Sequence, residues 1–324
     1  MDVLVTGGAG FIGSHVCRRL RRDLVGKLVV LDDFSTGLSS NLVGLDEIEV
    51  VAGTVLDDDL VTGLVAGTDA VVHLAAVPAV ARSLQNPRGS HDANATGTLV
   101  VLEAARQHGH PVIVASSSSV YGPGAAMPTS EEHPTRPATP YAASKLAAES
   151  YALAYARSFG SRVLALRFFN VYGPHQRADH AYAAVIPAFV AAALEGRPLS
   201  IHGDGTQTRD FTFVGDVATV ISDALTRDVT SDLPVNLAFG SRTSLLSLIS
   251  ELEGLLGFPF RREHGPPRPG DVHDSNADAT RLRTMFPSVT PTPLRDGLRS
   301  TIEWFSETDG SARSAPKNSY LAVP

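Results

Sequence analysis

The segment that most constrains the fold is Val3–Ser14, which reads VLVTGGAGFIGS. An apolar run ends in glycines, and an amphipathic segment begins directly after them, which predicts a strand, a tight turn and the first turn of a helix. Gly8, Gly10 and Gly13 have the spacing G-x-G-x-x-G. In that spacing the glycines allow a turn with positive φ, a close approach of the backbone to a pyrophosphate, and close packing of helix on strand. The segment therefore predicts a phosphate-binding turn, with a plain glycine-rich loop as the alternative.

A second apolar run supports the phosphate-binding interpretation. Residues Lys27–Leu31 (KLVVL) lead into Asp32, which follows Gly13 by about twenty residues, where a dinucleotide site places the carboxylate that holds the ribose hydroxyls. The negative charge of this carboxylate would repel a 2′-phosphate. The sequence therefore favours NAD over NADP as the cofactor.

Composition excludes several classes of partner. The 324 residues are 43% hydrophobic and 19% charged, with a net charge of −7, so nucleic acid and anionic membrane surfaces are not expected as main partners. Cys17 is the one cysteine of the sequence, which rules out an internal disulfide and suits a reducing cytoplasm. No apolar stretch is long enough to span a membrane, and no basic segment precedes the first strand. We expect a cytoplasmic protein.

Short apolar runs alternate with segments of helical period, which predicts a doubly wound parallel (Rossmann) α/β sheet covered on both faces. The predicted strands include Glu47–Ala52, Ala70–His73, Pro111–Ser116 and Arg162–Arg167, and the clearest predicted helices are Phe11–Leu24, Asp92–Gln107 and Tyr141–Phe159.

After about residue 170 the character of the chain changes, because proline, glycine and polar loops become frequent. We predict an NAD-binding domain over residues 1–170, with a returning element near 203–240, and a smaller, interleaved C-terminal substrate-binding domain over 171–306. One strand is expected to return to the sheet near Pro234–Ala238. Residues 307–324 are polar and predict a disordered tail. The predicted helices of this part are Ala181–Leu194, Ser244–Leu256 and Leu294–Ser306.

The sequence Tyr141-Ala-Ala-Ser-Lys145 opens the longest predicted helix, with Thr139 as its N-cap and Pro140 at the first helical position. Residues i and i+4 share one helix face, so Tyr141 and Lys145 project the same way. An ammonium group near the phenol would lower the pKa of Tyr141 and make it a base for a sugar hydroxyl. The alternative is an ordinary surface Tyr/Lys pair.

A strand that ends in four serines, in ASSSSVYG (115–122), adds hydroxyl groups where open α/β sheets bind ligands. At this point the chain resembles the extended short-chain dehydrogenase/reductases, and within them the NAD-dependent epimerase/dehydratase family with its UDP-hexose 4-epimerases. The resemblance runs from Val3 to about Phe305. It rests on the motifs TGGAGFIGS, LDDFSTG, HLAA, SSSVYG, PYAASK, LRFFNVYGP, GDGTQTRDFTFVGD and RPGD, in this order.

The resemblance implies a tightly held NAD, a Ser-Tyr-Lys catalytic set and a UDP-sugar substrate. Ser117 matches the residue that hydrogen-bonds the sugar 4-hydroxyl, Tyr141 the base, and Lys145 the residue that also holds the nicotinamide ribose. A homodimer through Asp92–Gln107 and Tyr141–Phe159 is likewise implied. The implied cofactor contacts are Gly7, Gly8, Gly10, Phe11, Ile12, Gly13, Asp32, Asp33, Ser35, Thr36, Gly37, Thr54, Val55, Leu74, Ala75, Ala76, Asn94, Tyr141, Lys145 and Phe168. The implied substrate contacts are Ser117, Ser118, Asn170, Arg177, Val185, Arg209, Arg268, Asp271 and Ser275.

The two residues after Ser117 separate the branches of the family. Dehydratases carry Asp-Glu there, and decarboxylases carry Glu at the second position, whereas this chain has Ser118 and Ser119. Neither serine can act as a carboxylate acid or base. Epimerisation at carbon 4 through a transient 4-keto sugar needs removal and return of one hydride, so the sequence favours a UDP-sugar 4-epimerase. A dehydratase or net oxidoreductase and a non-catalytic NAD-binding regulator are the alternatives.

One position leaves a cofactor contact open, and two leave the sugar open. Thr54 stands where the family has the aspartate that meets the adenine amino group, which puts that contact in doubt. Ser275 replaces a bulky tyrosine of galactose-specific epimerases, which leaves room for an N-acetyl group. Arg177 lies in a context that resembles glucuronate epimerases. His73 is expected to be structural, and the histidines show no metal-ligand spacing, so no metal is expected.

Overall fold

The structure is a computed structural model that describes residues 1–23, 26–78, 80–178, 183–266 and 273–314. In this part of the chain, seven parallel strands form one sheet whose order is the third, second, first, fourth, fifth, sixth and eleventh strand of the sequence. The strands are β1 (Val3–Thr6), β2 (Leu28–Asp32), β3 (Ile48–Ala52), β4 (Ala70–His73), β5 (Val112–Ser117), β6 (Val163–Phe168), β7 (Val171–Tyr172), β8 (Leu199–His202), β9 (Thr208–Arg209), β10 (Thr212–Phe213), β11 (Val235–Leu237), β12 (Thr243–Ser244) and β13 (Arg262–Gly265).

Helices cover both faces of the sheet, which confirms the predicted doubly wound fold. Alternate residues of one strand point to opposite faces: Val3 and Val5 of β1 pack with the helices of one face, and Leu4 packs with those of the other. The helices are α1 (Phe11–Asp23), α2 (Asp58–Ala66), α3 (Val80–Gln85), α4 (Pro87–His91), α5 (Gly97–His108), α6 (Pro140–Phe159), α7 (Val185–Leu194), α8 (Val214–Thr226), α9 (Leu245–Leu256), α10 (Thr280–Met285) and α11 (Leu294–Ser314). The first face carries α1, α8 and α10, and the second carries α2, α5 and α6.

A separate apolar cluster lies away from the sheet. It joins α7, α9 and α11 to β8, with Phe189, Leu248 and Leu298 among its buried side chains. The strand expected near residues 234–238 is β11, which pairs in parallel with β6. We propose, on these separate cores, that the chain has the interleaved two-domain arrangement expected from the sequence.

Asp210 holds several distant segments of the chain together through hydrogen bonds. Its buried carboxylate accepts hydrogen bonds from the backbone N–H groups of Gly240, Ser241 and Ala277. Its backbone carbonyl accepts a hydrogen bond from the side chain of Asn170. Segments that are far apart in sequence therefore meet at Asp210.

Two predicted helix boundaries are wrong. The helix predicted over Ala181–Leu194 begins at Val185, since Ala184 is extended with ψ of 157°. Pro187 explains this start, because proline lacks an N–H and fits the first turn of a helix but not its interior. The helix predicted from Asp92 follows directly on α4, which Asn86 caps through the N–H of Gly89. Between α4 and α5 the backbone forms one π-helical segment over residues 92–96.

The predicted disordered tail is also wrong over its first part. Helix α11 was predicted to end at Ser306 but continues to Ser314. The sequence has no proline between Leu294 and Ser314 to stop it. Residues 315–324 lie outside the described residues. Among the described helices, none has the length and apolar character needed to cross a bilayer.

Candidate active site

A cleft of about 340 Å³ runs along the carboxyl ends of the central strands, where open α/β sheets bind their ligands. The structure brings most of the predicted cofactor and catalytic residues to its walls, together with the predicted substrate contact Asn170. These are Gly7, Gly10, Phe11, Ile12, Gly13, Asp32, Asp33, Ser35, Thr36, Thr54, Val55, Leu74, Ala75, Ala76, Ser117, Tyr141, Lys145, Phe168 and Asn170.

The glycine turn works with a different first glycine from the one predicted. The positive φ lies at Gly7, with a value of 72°, and not at Gly8. A Cβ on Gly7 would lie 2.6 Å from the backbone nitrogen of Ala75, and one on Gly13 would lie 2.1 Å from the carbonyl oxygen of Gly7. Gly8 instead packs against β2, where its Cβ would lie 2.7 Å from a methyl group of Val30. The close approach of backbone segments therefore depends on Gly7 and Gly13.

Asp32 fastens the glycine turn to the end of β2. One carboxylate oxygen accepts the N–H of Ala9 at 2.9 Å, and the other accepts the N–H of Phe34 at 2.9 Å. Burial raises the pKa of Asp32, and these two hydrogen bonds oppose that shift. Gly37 lies against the same carboxylate, since a Cβ there would be 2.9 Å from its oxygen. The loop geometry is thus set by the residue expected to hold the ribose.

Ser117, Tyr141 and Lys145 meet on one wall of the cleft. Ser117 ends β5, and Tyr141 lies in the first turn of α6, which Thr139 caps by accepting the N–H of Ala142. Lys145 is 6% exposed, and its Nζ donates to the carbonyl oxygen of Ala115 at 2.8 Å. A strand end and a helix start therefore present a hydroxyl, a phenol and an ammonium group to the same space.

The predicted effect of Lys145 on Tyr141 is wrong in this structure. Burial raises the pKa of Tyr141, and a hydrogen bond with Ser117 works in the opposite direction. Burial also lowers the pKa of Lys145 to about 8. The ammonium group is directed at Ala115, and Ser117 is the neighbour that lowers the pKa of Tyr141.

A buried ion pair lies behind this wall. Glu149 accepts a hydrogen bond from the hydroxyl of Ser116 at 2.6 Å and pairs with Arg167 at 2.6 Å. The guanidinium of Arg167 lies 4.6 Å from the ring centre of Tyr121. Burial alone would lower the pKa of Arg167, but hydrogen bonds and charge from Glu149 outweigh it and raise that pKa. The pair ties α6 to β5 and β6, next to the catalytic candidates.

Asn94 was predicted as a cofactor contact, but it is buried and does not line the cleft. Its side chain accepts the N–H of Val77 at 2.8 Å and donates to the hydroxyl of Ser144 at 2.9 Å. It therefore supports the loop after β4 and the first turn of α6.

His73 has the structural role expected from its sequence. Its Nδ1 lies 2.8 Å from the hydroxyl of Thr6, and its Nε2 lies 2.9 Å from the hydroxyl of Thr98. Thr98 already donates to the carbonyl of Asn94, so Nε2 must carry the proton and Nδ1 must accept from Thr6. Burial, helped by the charge of Lys145, lowers the pKa of His73 to about 3. The imidazole is therefore neutral and fixed in one tautomer.

The predicted substrate contacts divide into several groups. Val185 and Arg209 line a second cavity of about 230 Å³, together with His202 and Gln207. Ser275 lies outside both cavities, with its hydroxyl 3.4 Å from the side-chain nitrogen of Asn170.

The remaining predicted contacts are not brought to either cavity. Ser118 begins the 3₁₀ turn Ser118–Tyr121 after β5, and Arg177 is exposed beside Gln176. Arg268 and Asp271 lie outside the described residues.

Sequence reasoning missed Gln176, which lines the cleft. Its Nε2 donates to the carbonyl of Val171 at 3.1 Å, while its buried Oε1 has no hydrogen-bond partner within the described residues. A buried acceptor without a partner is costly unless a ligand satisfies it. The sequence feature that could have indicated Gln176 is its position two residues after Pro174, at the end of the motif LRFFNVYGP. No group of three His, Cys, Asp or Glu side chains that could hold a metal occurs in the part of the chain described.

This sheet order, with a glycine turn after β1 and a Ser-Tyr-Lys set beside it, defines a short-chain dehydrogenase/reductase. The model of the NAD dependent epimerase/dehydratase family matches residues 3–238, and the chain belongs to that family.

Three known proteins show how closely the whole chain follows the family. The UDP-glucose 4-epimerase of Mycolicibacterium smegmatis is 40% identical over 315 residues, covering 94% of this chain and 98% of the relative. The UDP-N-acetylglucosamine 4-epimerase of Methanobrevibacter ruminantium, solved with UDP-N-acetylmuramic acid, is 33% identical with a TM-score of 0.89, covering 95% of this chain and 98% of the other. The UDP-glucuronic acid 4-epimerase of Bacillus cereus, solved with UDP-glucuronic acid and NAD, is 31% identical with a TM-score of 0.84, covering 95% and 100%.

NAD is the cofactor of this family, and the residues present fit it. The glycine turn leaves free the space that a Cβ on Gly7 or Gly13 would close. The N-terminal turn of α1 faces the cleft and offers N–H groups for a pyrophosphate. Asp32 lies at the end of β2, where each carboxylate oxygen retains acceptor capacity for a ribose hydroxyl.

Proposed function

We propose that this enzyme is a UDP-sugar 4-epimerase that interconverts the two configurations at carbon 4 of its substrate. The observation that carries the proposal is the meeting of Ser117, Tyr141 and Lys145 on the wall of the NAD cleft, together with serines at positions 118 and 119. When bound, NAD serves as a reversible hydride acceptor. The residues must therefore move one proton and hold the sugar.

Tyr141 is the proton-transfer group of this proposal. Its phenol lies at the cleft wall, and its hydrogen bond with Ser117 favours the phenolate that removes the proton of the 4-hydroxyl. The buried ammonium of Lys145, fixed on the carbonyl of Ala115, adds positive charge to the same wall. A positive charge in a buried site stabilises the developing alkoxide of the sugar. The same groups serve the reverse step, as a reversible isomerisation requires.

The second cavity suits the nucleoside diphosphate. Arg209 lies in its wall beside Gln207, and its guanidinium donates to the backbone carbonyls of Thr208 and His273 at 2.9 Å. These bonds orient the planar group, and a guanidinium binds phosphate oxygens in pairs. We propose that Arg209 holds the diphosphate while the sugar turns in the first cleft. The three similar proteins named above all have UDP-sugars in their names, which supports uridine as the base.

The sugar would lie between Ser117 and the pair Asn170–Ser275. The small Ser275 beside Asn170 supports an N-acetylated sugar as well as glucose and galactose. Arg177 follows Gln176, a wall residue of the cleft, and supports glucuronate as a further candidate because a guanidinium pairs with a carboxylate.

The dehydratase alternative lacks its carboxylates at the reacting end of the cleft. Among the described residues of the cleft walls, the carboxylates are Asp32 and Asp33. Asp32 ends β2, three strand positions from β5, which is about 14 Å at the usual strand spacing. Neither carboxylate can therefore reach carbons 5 and 6 of a sugar held at Ser117.

A panel of UDP-sugars tests the proposal. The purified enzyme loaded with NAD is given UDP-glucose, UDP-N-acetylglucosamine and UDP-glucuronate, and the products are separated by chromatography. We expect at least one to be converted to its 4-epimer without accumulation of NADH. Unchanged substrates in all three cases, or a 4-keto-6-deoxy product identified by mass spectrometry, would contradict the proposal.

The homodimer stays a proposal as well. Helix α6 exposes Tyr151 (44%) and Phe159 (58%), which are large apolar side chains on one of the two helices expected to pair. Light scattering on the NAD-loaded enzyme would give twice the mass of one chain if this is right, and the mass of one chain if it is not.

A further inference from the structure

Ser119 is a hydroxyl residue next to Ser117 of the cleft wall, and the proposed reaction does not yet use it. It lies in the 3₁₀ turn that follows β5, two residues after Ser117. Its hydroxyl donates a hydrogen bond to Oγ of Ser117 at 2.9 Å. Its backbone N–H donates to the same oxygen at 3.2 Å. One residue therefore supplies two donors to the side chain of Ser117.

These two bonds determine the direction in which Ser117 can donate. A serine oxygen has two acceptor lone pairs and one proton. Both lone pairs of Ser117 are taken by Ser119, so a further bond to another oxygen must use the proton of Ser117. Tyr141 lies on the wall of the same cleft as Ser117. Donation of this proton to the phenol oxygen stabilises the phenolate, which is the direction in which Ser117 changes the pKa of Tyr141.

We propose that Ser119 is a positioning residue that fixes the hydroxyl of Ser117 as a hydrogen-bond donor into the cleft, toward Tyr141. The inference rests on the proposed 4-epimerase function and deepens it. Without the hydroxyl of Ser119, one lone pair of Ser117 becomes free, and Ser117 can accept the phenol proton of Tyr141 instead. The bond then stabilises the neutral phenol, and the enzyme loses part of its base.

Three charged side chains lie near Ser117 and Tyr141, and they could also affect the pKa of Tyr141. Lys145 lies one turn along α6 from Tyr141, with its ammonium on the carbonyl of Ala115. Glu149 and Arg167 lie behind Ser116 and neutralise each other. A substitution at position 119 therefore leaves the charges around Ser117 and Tyr141 unchanged.

Two variants of nearly equal shape isolate the hydroxyl. Ser119→Thr keeps the oxygen, and Ser119→Val replaces it by a methyl group while leaving the backbone N–H in place. We expect kcat of the valine variant to be about three- to tenfold below that of the threonine variant, the effect of one hydrogen bond. KM should change little, because Ser119 orients another side chain and does not grip the substrate.

A titration that needs no substrate separates this inference from the proposed function. The ultraviolet absorbance of tyrosinate is followed against pH in the NAD-loaded enzyme, and the signal of Tyr141 is obtained by subtracting the matching Tyr141→Phe protein. We expect the midpoint for Ser119→Val to lie about 0.5 to 1 pH unit above that for Ser119→Thr.

The outcomes are distinct. If the two variants have equal midpoints and equal kcat, or if the threonine variant is as impaired as the valine variant, the inference is wrong. If no UDP-sugar is converted but the midpoints differ as expected, the proposed function fails and the role of Ser119 stands. Circular dichroism and NAD content show that both variants are folded.

Discussion

The buried pair of Glu149 and Arg167 allows the stability of this wall to be tested quantitatively. Their side chains are 3% and 4% exposed, and two hydrogen bonds of 2.6 and 2.9 Å join them. Removing one partner leaves the other charge buried without compensation, which costs about 3 to 5 kcal/mol. Unfolding entropy of about 2.1 cal/mol/K per residue over this chain converts that cost into a fall in Tm of about 4 to 7 °C.

The perturbation is a double-mutant cycle of Glu149→Met, Arg167→Met and the double variant. Each single variant should lose the full amount. The double variant should lose less than either, because an apolar pair of similar volume needs no charge compensation. Part of the loss remains, since the hydroxyl of Ser116 no longer has Glu149 as its acceptor. Such a result would show that an uncompensated buried charge, and not the loss of contacts, accounts for most of the fall in Tm.

Thermal unfolding by calorimetry at one fixed NAD concentration is the assay, because a bound ligand raises Tm by itself. Glu251→Met is the matched control, since Glu251 pairs with Arg295 at 3.0 Å but both side chains are about half exposed. An exposed pair contributes about 0 to 1 kcal/mol, so Tm should fall by less than about 2 °C. A double variant whose loss equals the sum of the two single losses would refute the reasoning.

Three further predictions concern the base, the buried imidazole and the sugar pocket. Tyr141→Phe should lower kcat by about 10² to 10⁴-fold while NAD content is retained; turnover at the level of the unaltered enzyme would exclude Tyr141 as the base. Because burial lowers the pKa of His73 from 6.5 to about 3, the unfolded chain binds a proton between these pH values that the folded chain does not. Stability should therefore fall as pH decreases below 6.5, by up to about 1.4 kcal/mol per pH unit. His73→Asn should remove about one proton from that slope in urea unfolding, and an unchanged slope would be contrary to expectation. Ser275→Tyr should lower kcat/KM for UDP-N-acetylglucosamine at least about tenfold more than for UDP-glucose; equal losses would disprove the pocket argument.

The sheet was predictable because its strands are buried on both faces and read as continuous apolar runs. The cleft followed from it, since the residues after β1, β2, β4 and β5 must meet at one edge. Which glycine takes the positive φ was not predictable from the pair Gly7-Gly8, because either can adopt it. The contacts that decide are those with Ala75 and Val30, which are distant in sequence.

The direction in which side chains point was the second feature that the sequence could not predict. Helical spacing correctly put Lys145 on the face of Tyr141, but its ammonium donates to Ala115 on a neighbouring strand. Burial then dominates the pKa of Tyr141. The start of α7 was within reach, because Pro187 already marks a first helical turn. The length of α11 was not, since nothing local distinguishes residues 307–314 from a polar tail.

The carboxylate of Asp210 has a consequence for how substrate choice can change. The crossings at residues 170, 210, 240 and 277 converge on this residue. The segments between these fixed residues, such as those that carry Arg177 and Ser275, begin and end at contacts with Asp210. Loops that run between such fixed points tolerate changes of sequence and length better than the elements they connect. The fold thus separates the NAD cleft from the segments that carry Arg177 and Ser275, the residues proposed to select the sugar.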